Sequence, residues 1–283
     1  MNRMPNAYLL IFACVVLLVA GAAVPAAAQY RTMPTSGAAG ASQVKGENYH
    51  VEFAANLWEP LPEFVFRSEG LGIPGTEIDL QADLGIQQEQ MYELRLVLKA
   101  SKHLKFRFNY LPMHYTGDTV LSKDIIFNGI LFPLRIPVQT DFVWKAYRGT
   151  LEIDAVVQPR WYVGVLLEAK YADATLDLSS PIAEEYVQAR APIPAIGAVA
   201  RVYPVPFVSV TGEFTYFRLP DKVAVEQDAS LSTADYDIYG TVNISDNFGV
   251  QGGYRSIDMG FRVNRDEGSI KLKGWYFGGV VRF

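Results

Sequence analysis

The residues that could do chemistry in this chain are charged side chains set into apolar segments at every second position. Glu93, Arg95 and Lys99 alternate with Leu94, Leu96 and Leu98, and Lys105 and Arg107 with Leu104, Phe106 and Phe108. Glu168 and Lys170 flank Ala169, Glu213 precedes Phe214, Asp235 and Asp237 flank Tyr236, and Arg255 follows Tyr254. Acids and bases are nearly balanced in this set. Placed on one surface they would neutralise one another as hydrogen-bonded ion pairs, which is how charges survive away from bulk water.

Catalytic constellations are scarce by comparison. The histidines are His50, His103 and His114. None stands in the Asp-x-His pattern of omptin proteases or the His-x-Ser pattern of lipid A deacylases, and no Gly-x-Ser-x-Gly elbow is present. His114 has Asp118 four residues on, a base with a candidate orienter, but no nucleophile accompanies it. Gly117-Asp118-Thr119-Val120 matches a Gly-Asp-Ser-Leu nucleophile block only in its first two residues and lacks a distal Asp-x-x-His. Acidic residues gather at Glu77, Asp79 and Asp83, at Glu184 and Glu185, and at Asp221, Glu226 and Asp228, without the spacing of a dedicated cation loop. No catalytic, cofactor-binding or metal-binding residues are therefore assigned, and no cofactor is expected.

Composition sets the frame for these residues. The 283-residue chain is 50% hydrophobic and 19% charged, which excludes disorder. Its formal charge of −5 offers no basic footprint for nucleic acid. Arg3, the apolar run of residues 8–20 and Ala26-Ala27-Ala28 read as a secretory signal over 1–28, cleaved before Gln29. That run is too short to span a bilayer as a helix. Cys14, the single cysteine, falls inside it, so the mature chain is expected to carry no disulfide. Residues 29–47 read as a flexible periplasmic lead-in and 48–283 as one domain.

In that domain the period of two dictates strands. Ten are expected, at about 48–58, 89–100, 103–116, 138–157, 161–175, 190–203, 206–218, 233–245, 248–262 and 270–283. The apolar set of the fourth shifts phase from Phe142 and Trp144 to Tyr147, Leu151 and Ile153, which calls for a bulge or a hairpin near Arg148-Gly149. A hairpin there, with residues 125–131 as an extra strand, would raise the count to twelve. Similar phase slips near Ser256 and Gly274 are read as bulges.

The connections alternate between tight turns, such as Ser101-Lys102 and Gln158-Pro159-Arg160, and long loops, such as 59–88 and 117–137. Short turns at one end and long loops at the other are the pattern of an outer-membrane up-and-down barrel. The export signal agrees, and so does the final strand, where Trp275, Phe277, Val281 and the terminal Phe283 share one parity. They match the terminal-aromatic signature by which such barrels are recognised for assembly. Aromatics near strand ends (Trp58, Tyr110, Tyr115, Tyr147, Trp161, Tyr171, Tyr203, Phe207, Phe217, Tyr236, Phe248 and Phe261) suit interfacial girdles. On this reading the eleven charged residues named first line the lumen.

Several blocks, among them Gly75-Thr76-Glu77-Ile78-Asp79-Leu80, Ala82-Asp83-Leu84-Gly85, Ala189-Arg190-Ala191-Pro192-Ile193-Pro194-Ala195-Ile196-Gly197, Tyr239-Gly240-Thr241-Val242-Asn243 and Gly253-Tyr254-Arg255-Ser256, resemble an uncharacterised family of bacterial outer-membrane β-barrel proteins. The similarity runs from about Trp58 to Phe283 and implies a barrel in the outer membrane, with no catalytic residues to carry over. The expected function is a non-enzymatic structural or surface-interacting barrel with a charge-filled lumen. Its expected partners are outer-membrane lipid, lipopolysaccharide and the barrel-assembly machinery. A small pore for hydrophilic solutes is the alternative, and an outer-leaflet lipid-modifying enzyme near His114 a third reading.

Overall fold

A computed structural model describes residues 44–69, 72–220, 224, 228–263 and 266–283. The expected signal over 1–28 and most of the lead-in lie outside the described residues.

The wall is a closed antiparallel sheet. It begins with β1 (Val51–Trp58) and β2 (Leu61–Arg67), which pair with β14 (Asp266–Arg282) in one unbroken register from Glu52↔Arg282 to Lys273↔Leu61. They are one wall strand interrupted at Glu59-Pro60, because Pro60 has no N–H to donate. Around the barrel follow β4 (Met91–Lys99), β5 (Leu104–Val120), β8 (Pro137–Gln158), β9 (Trp161–Ser179), β10 (Glu184–Val205), β11 (Val208–Arg218), β12 (Ala229–Asn243) and β13 (Phe248–Val263). β13 pairs with β14, and β14 with β1, which closes a ten-stranded barrel. Closure gives every wall strand a partner on both sides, the condition for crossing a bilayer with strands.

The short elements lie at the loop end. β3 (Ile78–Asp79) pairs with the top of β2, and β6 (Ile125–Phe127) and β7 (Ile130–Phe132) form a hairpin. Its turn is Asn128-Gly129, both at positive φ, as a two-residue type I′ turn demands. The twelve-strand alternative is thereby corrected: residues 125–132 form a hairpin of their own and add no strand to the wall.

The expected bulges near Arg148-Gly149, Ser256 and Gly274 are absent, and the reason is physical. Side-chain parity is constant along each of these strands; what changes is which face is apolar. On β8, Phe142 and Trp144 point inward with Thr150, Glu152 and Asp154, while Tyr147, Leu151 and Ile153 point outward below Lys145. On β14, Ile270 and Leu272 point inward with Tyr276, and Lys271 and Lys273 give way on the outer face to Trp275 and Phe277. β5 and β9 change over at Tyr110 and Tyr171 in the same way. Each strand leaves lipid at that level: below it the wall is apolar outside and polar inside, above it the reverse. The register shifts that do occur, at Asp154/Val156 and Val202/Val205, lie at the opposite end, beside the tight turns.

Aromatic rings mark the boundary. Tyr110, Tyr147 and Tyr171 are cross-strand neighbours on the outer face, with centroids 5.0 and 6.4 Å apart, and Tyr254 packs on Trp275 at 5.2 Å. Trp161, Phe207, Phe248 and Phe283 are exposed at the other end. Trp161 and Tyr171 are ten residues apart on β9, which at about 3.3 Å per residue and a tilt of about 40° spans about 25 Å, the height of a lipid-facing band. Five expected girdle residues face inward instead: Trp58, Tyr115 and Tyr203 are buried, and Phe217 and Phe261 pack against the interior core. They occupy inward-parity positions, which aromatic content alone does not reveal.

Above the band the interior is an apolar core. Phe64 packs edge-on against Tyr115 and at a tilt against Phe142, with centroids 5.5 and 5.0 Å apart. Loop residues Leu80, Leu84 and Ile86 and hairpin residues Ile125, Phe127 and Phe132 are buried in the same cluster. Gly117 lets the loop pass inside β5: a Cβ there would sit 2.4 Å from the Leu84 carbonyl oxygen. The loop-end mouth is thus filled on its β5 and β8 side by the protein's own chain, while a cavity of about 780 Å³ remains beside β11 to β14.

Candidate functional site

Within the band, inward positions of every wall strand carry polar side chains, and three linked clusters result. In the first, Arg255 bridges Glu93 (2.8 Å) and Asp237 (2.5 Å), while Arg95 reaches Asp237 at 3.3 Å. Asn56 and Asn109 donate to Glu93, and the Tyr276 hydroxyl donates to Asp237. In the second, Arg107 donates to both oxygens of Glu213 at 2.7 Å and to Glu152 at 2.9 Å. Lys105 bonds Glu152 (2.6 Å) and Asp154 (2.9 Å). In the third, Glu168 accepts from Arg148 (2.8 Å) and Thr150 (2.9 Å), and Lys170 bonds Asp235 at 2.8 Å.

At the turn end a fourth group includes residues ahead of the first strand. Glu47 accepts from Lys99 and Arg201, both at 3.0 Å, and from the Tyr203 hydroxyl. Burial alone would raise the Glu47 carboxyl, but Arg201, Lys99 and Lys105 outweigh it and hold it well below the usual carboxylate range. The neighbouring backbone is fixed as well, with Lys45 N–H on the Pro206 carbonyl and Gly46 N–H on Asp246. Gly46 has φ of 80°, and a Cβ there would meet Asn243 and Arg282 within 3 Å. Residues 45–47 are therefore bonded into the barrel, where a flexible lead-in was expected.

All eleven charged residues singled out from the sequence are in these groups. Sequence reasoning missed Glu47, Glu52, Arg148, Glu152, Asp154, Arg201 and Arg282. Arg148, Glu152 and Asp154 share the parity of Phe142 and Trp144, so reading β8 as one continuous strand would have found them. Counting both sets, nine cations face nine anions inside the barrel among the described residues. A cavity of about 20 Å³, room for about one water molecule, lies between the three central clusters.

The other candidates are dispersed. His114 Nε2 pairs with the Asp141 carboxylate at 2.7 Å, not with Asp118, on the exposed outer face above the band. His103 contacts the Asp154 carbonyl at a turn. Glu77 pairs with Arg67, Asp79 caps the turn at Gln81 and Ala82, Asp83 holds Lys123, and Glu185 accepts from Asn128. Asp221 and Glu226 lie outside the described residues. Trp275, Phe277, Val281 and Phe283 all face outward on the last strand.

A closed ten-stranded antiparallel barrel, apolar outside and charged within, is an outer-membrane-type β-barrel. Among solved structures it is similar to the outer membrane protease OmpT from Escherichia coli, with TM-score 0.54 and 8% identity over 82% of this chain and 96% of that one. At that identity the likeness shows the fold alone. The attachment invasion locus protein Ail of Yersinia pestis and Neisserial surface protein A also align, each with TM-score 0.35 and 12% identity over 83% of this chain, covering 99% and 97% of theirs. No protein-family model and no curated protein sequence matches the chain.

Proposed function

We propose that this protein is an outer-membrane barrel with a sealed lumen, acting through its outer surface and lipid-facing wall as a structural or surface-interacting protein, without enzymatic activity. The observation that carries this reading is the lumen, whose charges are paired with one another around a cavity of about 20 Å³, too small for a solute. The apolar plug at one mouth and the Glu47 contacts at the other add to it. The non-enzymatic reading rests on the lumen carboxylates being engaged by cations and on the His114 side chain having, among the described residues, only Asp141 as a hydrogen-bond partner. The chain would be exported by residues 1–28, cleaved before Gln29, and presented to the barrel-assembly machinery by Trp275, Phe277, Val281 and Phe283.

Conductance of the purified barrel in planar bilayers tests the sealed lumen. Silent insertion is expected; steady unitary openings would establish the small-pore alternative instead.

A further inference from the structure

The lipid-facing wall is not uniformly convex. Between β4 and β10 it holds a groove of about 480 Å³, lined on its outer side by Leu94, Phe108, Gly149, Ala169 and Pro194. The last four form one cross-strand row, Phe108↔Gly149↔Ala169↔Pro194, so the groove comes from two small residues between larger ones. A Cβ on Gly149 would meet nothing within 4 Å.

The rows above continue the pattern toward the outside. Directly over the groove stand Tyr110, Tyr147 and Tyr171, at the edge of the lipid band. One step higher, Lys145, Asp173 and Arg190 are neighbours. The oxygens of Asp173 are taken by Arg190 (3.1 Å) and Gln188 (3.0 Å), and Lys145 is exposed with no ion pair or hydrogen bond among the described residues. From the hydrocarbon outward the wall thus offers an apolar slot, a tier of hydroxyl-bearing rings and an uncommitted ammonium. An acylated, phosphorylated lipid offers a chain, a polar linkage and a phosphate in the same order, and a lysine is a point-charge partner for phosphate.

We propose that this groove binds an acyl chain of a phosphorylated lipid of the outer leaflet, of lipid A type, with Lys145 on its phosphate. The inference rests on the reading of this wall as membrane-facing, and names the lipid and the residues that hold it.

The test is native mass spectrometry of the refolded full barrel in detergent, given bis-phosphorylated lipid A or its dephosphorylated form. Heat-modifiable gel migration first confirms that each variant is folded; a wild-type protein without it would overturn the barrel reading itself. Wild type should retain one phosphorylated lipid A per barrel. Gly149→Leu, which fills the slot at a strand-compatible position, should reduce retention of both lipids about tenfold. Lys145→Gln should reduce retention of the phosphorylated lipid about tenfold and leave the dephosphorylated one unchanged. Equal retention by wild type and both variants would overturn the proposal. So would a wild-type dimer abolished by Gly149→Leu, since the slot would then hold a second copy of the chain.

Discussion

Arg107 spans the lumen, and its removal has a calculable consequence. From β5 it reaches Glu213 on β11, four strands further round the wall, and Glu152 on β8. Arg107→Met deletes three charge-assisted hydrogen bonds. Glu152 keeps Lys105 at 2.6 Å, but the nearest remaining donor to Glu213 is the Tyr239 hydroxyl at 2.8 Å. A buried carboxylate deprived of its principal cation costs about 3–5 kcal/mol. Glu213→Gln removes the orphaned charge, so the double variant should be about 2 kcal/mol more stable than the sum of the single effects. Equilibrium urea unfolding of barrels refolded into phospholipid vesicles, followed by tryptophan fluorescence, measures the cycle. A single-variant loss below about 0.5 kcal/mol, or additivity within about 0.5 kcal/mol, would refute the pairing account.

Three further outcomes are expected. Glu47→Gln should destabilise the barrel at pH 7, and because the folded carboxyl is depressed, the deficit is complete above the ordinary carboxylate range and narrows as pH falls below it; pH-dependent unfolding of the two proteins checks this, and a deficit constant down to pH 3 would contradict it. Gly117→Val should push the loop of residues 80–86 off β5, since a Cβ meets the Leu84 carbonyl at 2.4 Å; faster protease cleavage in that loop is the readout. Deleting Phe283, which is exposed at the end of the last strand, should lower the yield of heat-modifiable barrel in the outer-membrane fraction; unchanged yield would remove it as an assembly signal.

How much was legible in the sequence follows from the range of each signal. Alternation such as Glu93, Arg95 and Lys99 against Leu94, Leu96 and Leu98 is local, so all ten wall strands and eleven of their inward charges could be read from it. Where a strand leaves lipid, the apolar set moves to the other face, and without the boundary this looks the same as a bulge. Arg148, Glu152 and Asp154 were lost for that reason, and β5, β9, β10, β12 and β14 were read too short at their outer ends. Leu80, Leu84, Ile86 and the 125–132 hairpin are short apolar runs without period, and nothing local says that they fold into the mouth. Glu47 depends on Arg201, 154 residues away, which only the closed barrel brings near.

The central claim is that one strand turns its apolar face from lipid to core at a fixed height. Spin labels on Phe277→Cys and Lys271→Cys, both on the outer face of β14 on either side of Trp275, test it most directly in vesicles. The account predicts that the Phe277 label relaxes with oxygen and is shielded from a water-soluble nickel complex, while the Lys271 label does the opposite. Equal exposure of both labels to the nickel complex would contradict it.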